Sequence, residues 1–324
     1  MFGRPTKVIN IDIEDYVMRL IESNGSNNIS SIKIMEERVI PYGLIENGKI
    51  IDEIGFFEYM KDLVKELVIK HRHVRFYVPN SLVIMRQVEF PADLRDKDIH
   101  DFFKVEIGKS LHLPFKNPVF DVHYNENVRL ENDIRMGTFF AAPREELVKY
   151  TEILADVSLK PVAADVLALG IYRYFHHTTK VNREKVYLFV ELNATSINLS
   201  IFRNHDIEFL RFQNLDLHLI NRGETGELVF KEDADFVTGI LEDQISELER
   251  IMNFYRFSIQ KGEKMVDEII LLGDHPELKS FYQKVNERFE IPVQLLKGVL
   301  LEKKDKEVES KYIPALGLAL KEIH

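Results

Sequence analysis

AAPREELVKYTEILADVSLKPVAADV, residues 141–166, is the stretch from which the rest of the chain can be ordered. It runs as the end of a strand, a capped helix from Arg144 to Ala155, a short turn, and a second strand from Val162 to Val166. Upstream, Leu82 to Phe90 alternates as a strand. Asp96 then caps a helix whose buried side is Ile99, Phe102, Phe103 and Ile107, extending over 96–111 and ending near Leu113-Pro114-Phe115. Val119 to Tyr124 and Arg135 to Ala141 return as strands, so 82–155 reads as an inserted module.

The residues before the insert open with strands at Val8–Ile13, Tyr16–Ile21 and Ser31–Ile40, the last two separated by the turn-rich Asn24-Gly25-Ser26-Asn27-Asn28. Phe56, Met60, Leu63, Val64 and Leu67 recur at helical spacing and predict a helix over Glu53–Lys70, with Val74 to Val78 as the next strand. The helix from Leu167 to Phe175 rejoins this first half, and Thr178 to Glu184 is a polar connector. The opening pattern then repeats, with strands at Val186–Leu192, Ser196–Phe202 and Ile207–Phe212. A helix over Phe236–Ser258 carries Leu241, Ile245, Leu248, Met252 and Tyr255; its stripe suits a core face or a short coiled coil. Ile269–Leu272 is a short strand and Pro276–Phe289 a helix; Glu302–Lys311 reads as a charged loop, and Ile313–Ile323 closes the chain as a helix. Two halves that each open with paired strands and a tight polar turn suggest duplicated lobes around a cleft.

The bulk properties narrow the function classes. With 324 residues, 45% hydrophobic and 10% aromatic, the chain can fill two cores. Forty-three basic against 53 acidic residues, net −10, argue against nucleic acid or an anionic membrane surface as a partner. No cysteine is present, which removes disulfides, thiolate metal sites and Cys nucleophiles together. An acid at Asp12 interrupts the start too early for a signal peptide, and no apolar run has the length of a membrane helix. A cytoplasmic location without direct membrane insertion is expected. His71 and His73 flank Arg72 at a helix end, as His176-His177 do at another, and both pairs read as solvated termini rather than metal sites. No Gly-x-Ser-x-Gly, Walker loop or carboxylate-histidine metal motif occurs.

Taken in order, residues 141–166, Phe90-Pro91-Ala92, Leu113-Pro114-Phe115, Val190–Phe202, Met252-Asn253-Phe254-Tyr255-Arg256 and Ala315–Leu320 resemble the type IV pilus assembly protein PilM family, with coverage from about Val8 to the end. The resemblance implies an α/β, actin-like (ribonuclease-H-like) two-lobed ATPase fold with an inserted β-α-β subdomain in the first lobe. It implies a first lobe over 1–177 carrying the insert 82–155, and a second lobe over 178–324. The closing helix 313–323 is expected to pack back on the first lobe.

The nucleotide-binding positions that the resemblance marks are altered. The family's first turn, Asp-Ile-Gly followed by hydroxyl residues and a Lys, is here Asp12-Ile13-Glu14-Asp15-Tyr16-Val17-Met18-Arg19. Asp12 is kept, Glu14 stands for the glycine, and Asp15 and Tyr16 for the hydroxyls; carboxylates facing a triphosphate repel it. In the second turn, Glu191 and Asn193 replace an aspartate and a glycine, and Asn198 a second aspartate, while Thr195 and Ser196 keep hydroxyls. Asn193 can in principle take a left-handed turn. The adenosine-binding glycines are reduced to Gly273, followed by Asp274-His275-Pro276. The expectation is a pseudo-ATPase with no cofactor, with ATP and Mg²⁺ as the alternative.

What the resemblance implies instead is a scaffold on the cytoplasmic side of the membrane. Proteins similar to PilM hold the N-terminal tail of a bitopic PilN-like membrane partner and link it to other pilus motor components. The tail lies extended in a groove between the first lobe and the insert. Met85, Val88 and Phe90 are candidates to line it, with core positions as the rival reading, and Arg86 lies in the same strand. The competing functions are an active actin-like ATPase or sugar-kinase-like enzyme, and a filament-forming cytoskeletal protein.

Overall fold

The computed structural model describes residues 7–24, 29, 32–130, 133–222, 227–301 and 306–322. The chain opens with strands β1 (Val8–Ile13), β2 (Val17–Ser23) and β3 (Met35–Val39), then the short ribbon β4 (Ile45–Glu46) and β5 (Lys49–Ile50). Helix α1 (Glu53–Glu66) and β6 (His73–Tyr77) follow, then β7 (Ile84–Pro91), α2 (Asp96–Glu106), β8 (Pro118–Leu130) and β9 (Ile134–Pro143). Next come α3 (Arg144–Asp156), β10 (Lys160–Asp165), α4 (Leu167–Thr178), β11 (Val186–Leu192), β12 (Ser196–Arg203) and β13 (Asp206–Asn214). The remainder is β14 (Leu219–Arg222), β15 (Glu227–Phe230), α5 (Ala234–Phe254), β16 (Glu268–Leu272), α6 (Leu278–Arg288), β17 (Val293–Leu295), β18 (Leu300–Leu301), β19 (Lys306–Glu307) and α7 (Ile313–Ala319).

These elements fall into two compact units. One holds the chain through Asp12, Met18–Val39, and everything from Leu167 onward; the other holds Ile13–Val17 and Ile40–Val166. In the first unit a five-stranded sheet has the order β13-β12-β11-β16-β17. β12 pairs antiparallel with β11 and β13, whereas β16 pairs in parallel with β11 and β17. β11 and β16 are buried nearly throughout, as strands covered on both faces must be. Val190, Ile201, Leu248 and Phe281 are among the side chains that fill its core. α5 starts where the Asp233 carboxylate accepts the Phe236 N–H at 2.8 Å, a side-chain cap for an otherwise unpaired amide. α7 packs on α4 so closely that a Cβ on Gly317 would lie 2.0 Å from the Gly170 carbonyl oxygen. Arg173 donates to the Gly317 carbonyl at 2.8 Å across the same contact.

In the second unit β10 pairs in parallel with β6, and α1 and α3 pack against one another. The insert is a three-stranded antiparallel sheet of order β7-β9-β8. α2 covers it through Ile99 and Phe103, which pack with Val88, Phe90, Phe139 and Ala141.

Several boundaries differ from the sequence reading for local reasons. α1 stops at Glu66 rather than Lys70 because Val68 takes a φ of +54°, which no right-handed helix continues through. Asp96 is the first helical residue of α2, not its cap; Arg95 holds the cap position, its side chain pairing with Asp98 rather than capping a backbone amide, and the Asp96 carboxylate takes Arg135 at 3.1 Å. α2 ends at Glu106, short of 111. α5 ends at Phe254 in a π turn, Tyr255–Ile259, which replaces the last helical turn of 236–258. The charged run 302–311 holds strand β19 and a 3-10 turn at Ser310–Tyr312. The closing helix is Ile313–Ala319, not 313–323. The expectations placed on residues 25–28, on the start of the third strand at Ser31, on 302–305 and on Ile323 lie outside the described residues.

Candidate functional site

The first turn joins β1 to β2 through Glu14, Asp15 and Tyr16, closed by the Glu14 N–H donating to the Val17 carbonyl at 2.9 Å. Asp15 turns towards the β4–β5 ribbon. Its carboxylate accepts the Asn47 N–H at 2.6 Å and the Gly48 N–H at 2.9 Å, the central residues of an Asn-Gly hairpin with φ of +51° and +72°. Burial raises the Asp15 pKa and the two amides oppose that shift. Tyr150 completes the arrangement by donating to the Gly48 carbonyl at 3.0 Å. An acid at a phosphate-loop position here pins a neighbouring ribbon.

The second turn, Asn193-Ala194-Thr195, keeps its strand spacing. The Asn193 N–H donates to the Ser196 carbonyl at 2.9 Å, and Asn193 is not among the described residues with positive φ, so the left-handed turn open to an asparagine is not used. The Ala194 N–H donates to Asp274 Oδ1 at 3.0 Å. The other Asp274 oxygen pairs with Arg19, whose Nε donates to Glu37 at 2.6 Å. Lys311 reaches the second Glu37 oxygen at 3.1 Å. Arg19 is 4% exposed, in a strand with every residue buried, so its charge must be answered by neighbouring acids.

Two further carboxylates belong to this network. Burial pushes Asp12 up to about 6, against the Arg19 charge and with that of Asp274. Glu191 is pushed up to about 8, first by burial and then by Asp12, although Asn198 donates to it at 2.8 Å. Four acids, Asp12, Glu37, Glu191 and Asp274, therefore gather around one guanidinium, and the buried pair Asp12 and Glu191 holds protons more tightly than free carboxyls do.

Gly273 has a structural task in this arrangement. At φ +128° it follows β16, where a Cβ would stand 2.0 Å from the Leu192 carbonyl oxygen, so only glycine fits beside β11. His275 donates its backbone N–H to that same carbonyl at 3.2 Å and lies buried, its pKa lowered to about 4 by desolvation. The Ser196 hydroxyl is buried without a hydrogen-bond partner among the described residues, and Thr195 is half-buried.

Of the four residues on β7, Val88 and Phe90 point into the insert's core, Met85 is half-buried and Arg86 is exposed. The Arg86 guanidinium donates to the Met85 carbonyl at 3.0 Å. β7 is also an edge strand: β9 pairs along one side, and among the described residues no strand pairs with the other.

A sequence profile described as type IV pilus assembly protein PilM matches residues 10–222. The chain belongs to the PilM family. A comparison with curated proteins gives no match. Among solved structures, this PilM-family chain is similar to one described as a PilM-PilN type IV pilus biogenesis complex, with a TM-score of 0.76, 18% identity and 98% of each chain covered. It is also similar to the ethanolamine utilization protein EutJ from Carboxydothermus hydrogenoformans, with a TM-score of 0.51, 9% identity, and 98% and 90% of the two chains covered. A Bacteroides thetaiotaomicron protein with an actin-like ATPase fold and unknown function aligns with a TM-score of 0.49, 10% identity, and 91% and 94% covered. The fold is the actin-like ATPase fold. Among the described residues no helix is long and apolar enough to cross a membrane, and no group of His, Cys, Asp or Glu is arranged to hold a metal.

The sequence marked Asp12, Glu14, Asn193, Thr195, Ser196 and Gly273 as degenerate nucleotide-binding positions. It missed that Arg19 and Asp274 form the hub. The available signal was a single Arg inside the apolar run Val17-Met18-Arg19-Leu20-Ile21, in a chain whose matching turns carry surplus acids.

Proposed function

We propose that this PilM-family chain is a non-catalytic scaffold of a type IV pilus or competence-type assembly machine. It holds the cytoplasmic tail of a bitopic PilN-like membrane protein and couples it to other motor components. It lies in the cytoplasm, at the membrane only through that partner. Family membership and the PilM-PilN description of a similar structure support the partner class. In this reading residues 1–177 form one lobe with the insert 82–155, and 178–324 form the other.

The observation that carries the reading is the Arg19 network. A nucleotide with Mg²⁺ needs free backbone amides, an unopposed cation and ionised acids around the phosphates. Here the Ala194 amide is engaged by Asp274, and Arg19 is engaged by Asp274 and Glu37. Asp12 and Glu191 have raised pKa values. These residues do not fit a triphosphate. Calorimetric titration with ATP, with and without Mg²⁺, together with phosphate release, tests the point. We expect no steady release above buffer; turnover that Asp12→Ala abolishes would overturn the assignment.

The tail is placed along the open edge of β7, where main-chain hydrogen bonds supply affinity. Met85 and Arg86 present side chains there, and Val88 and Phe90 support the strand from beneath. Arg86→Glu is expected to weaken capture of a PilN-like tail peptide while the melting temperature barely moves, because Arg86 is exposed. Unchanged peptide affinity in that variant would put the tail elsewhere.

A further inference from the structure

The sheet of the first unit ends at β13, and among the described residues no strand pairs with the outer side of β13. An unpaired edge offers a row of N–H and C=O groups to another strand. Two hollows lie between this end of the sheet and α5, each of about 350 Å³. Glu247 and Arg250 line both, so the hollows form one groove.

The two ends of the groove differ in chemistry. One is apolar, walled by Phe209, Leu210, Ile251 and Phe254; the Phe254 ring is half exposed, 6.2 Å from that of Phe209. The other is lined by Gln213, Asp216, Asp243 and Gln244. Asp216 and Asp243 make no ion pair among the described residues. Gln244 is 5% exposed, and its Oε1 accepts no hydrogen bond among the described residues. A buried acceptor left unpaired beside two carboxylates is a site for a donor with positive charge. Between the two ends, Arg211 and Arg250 both pair with Glu247, at 2.5 and 2.7 Å, which leaves the junction with one positive charge in excess.

We propose that this groove docks an extended segment of a partner protein, which adds as a strand to β13 and places one apolar side chain and one lysine in the two hollows. The hollows centre near Leu210 and Asn214, about 13 Å apart along a strand. Side chains four residues apart share a strand face at that distance, so the segment carries its apolar residue and its lysine at positions i and i+4. The ammonium, with three donors, meets Gln244 Oε1 and the two carboxylates together. The surface is separate from β7 and does not depend on how the nucleotide question is answered.

The test is a selection of short random peptides on the full chain, followed by affinity measurement on variants at exposed positions. Enriched peptides are expected to carry a lysine four residues from a large apolar residue. Their binding should fall about tenfold in Asp243→Lys and again in Phe254→Ala, and stay unchanged in Arg86→Glu. Amide exchange at Leu210 and Phe212 should slow when such a peptide binds. No enriched peptide, enrichment without that spacing, or affinity kept in both groove variants would overturn the proposal. So would a concentration-dependent dimer that Phe254→Ala abolishes, since the occupant would then be a second copy of this chain.

Discussion

The turn at Glu14–Tyr16 and the turn at Asn193–Thr195 occupy equivalent places in the two opening strand pairs, and their polar groups find partners in opposite ways. In the first, the replacement acid found local backbone donors: Asp15 leaves the turn and binds the amides of Asn47 and Gly48. In the second, the backbone kept its shape and its amide found a distant carboxylate, Asp274, itself tied to Arg19. The first turn became a clasp on a surface ribbon. The second became the rim of a buried charge network. In both turns the polar groups are engaged within the protein, as buried donors and acceptors must be.

The comparison can be broken most sharply at Arg19. Removing the guanidinium leaves Asp274, Glu37, Asp12 and Glu191 without their shared buried cation, so Arg19→Ala should cost about 3–5 kcal/mol in urea unfolding. A loss below about 1 kcal/mol would mean that the acids simply take up protons and that the network contributes little. Asp15→Ala tests the other turn. It strands two amide donors at the ribbon, one of them part-buried, and should cost about 2 kcal/mol. An equal loss from both substitutions would erase the distinction between clasp and network.

The smallest effect is a slope. Glu191 has its pKa raised to about 8 and Asp12 to about 6, so the folded state binds protons that the unfolded chain releases. Their stabilising contribution is complete below the ordinary carboxyl range and is lost as pH rises through the folded values. Glu191→Gln removes the larger share and keeps the contact with Asn198. Stability should fall by less between pH 5 and pH 8 in the variant than in the parent. A parent curve that rises over that interval would show that Glu191 is ionised in the fold.

Much of the architecture was legible because it depends on local periodicity. The runs Val186–Leu192 and Ser196–Phe202 differ from the observed strands by at most one residue. Their alternation and the short polar turn between them leave little freedom. The insert could be read the same way, from the spacing of Ile99 and Phe103 against Val88 and Phe90. The π turn at Tyr255 could not, since a helical stripe looks the same until its last carbonyls choose their partners. At the site, the residue types that had changed were visible one by one: Glu14, Glu191, Asn193, Asp274. What each now binds was not visible, because Asp15 reaches Gly48 and Arg19 reaches Asp274 through the fold alone. Sequence spacing carries no trace of such pairings.

The Arg19–Asp274 pair spans 255 positions of the chain. During synthesis the strand bearing Arg19 emerges long before its acid partner. Until then β2 carries a cation that no apolar surface can accept, with Asp12 and Glu37 as nearby acids to answer it. The amino-terminal strands are thus held back from sealing a complete core of their own, and a chain truncated before Asp274 should stay open to chaperones and proteases. Any closure around β2 that needs Arg19 answered on both sides therefore waits for the residues that follow β16.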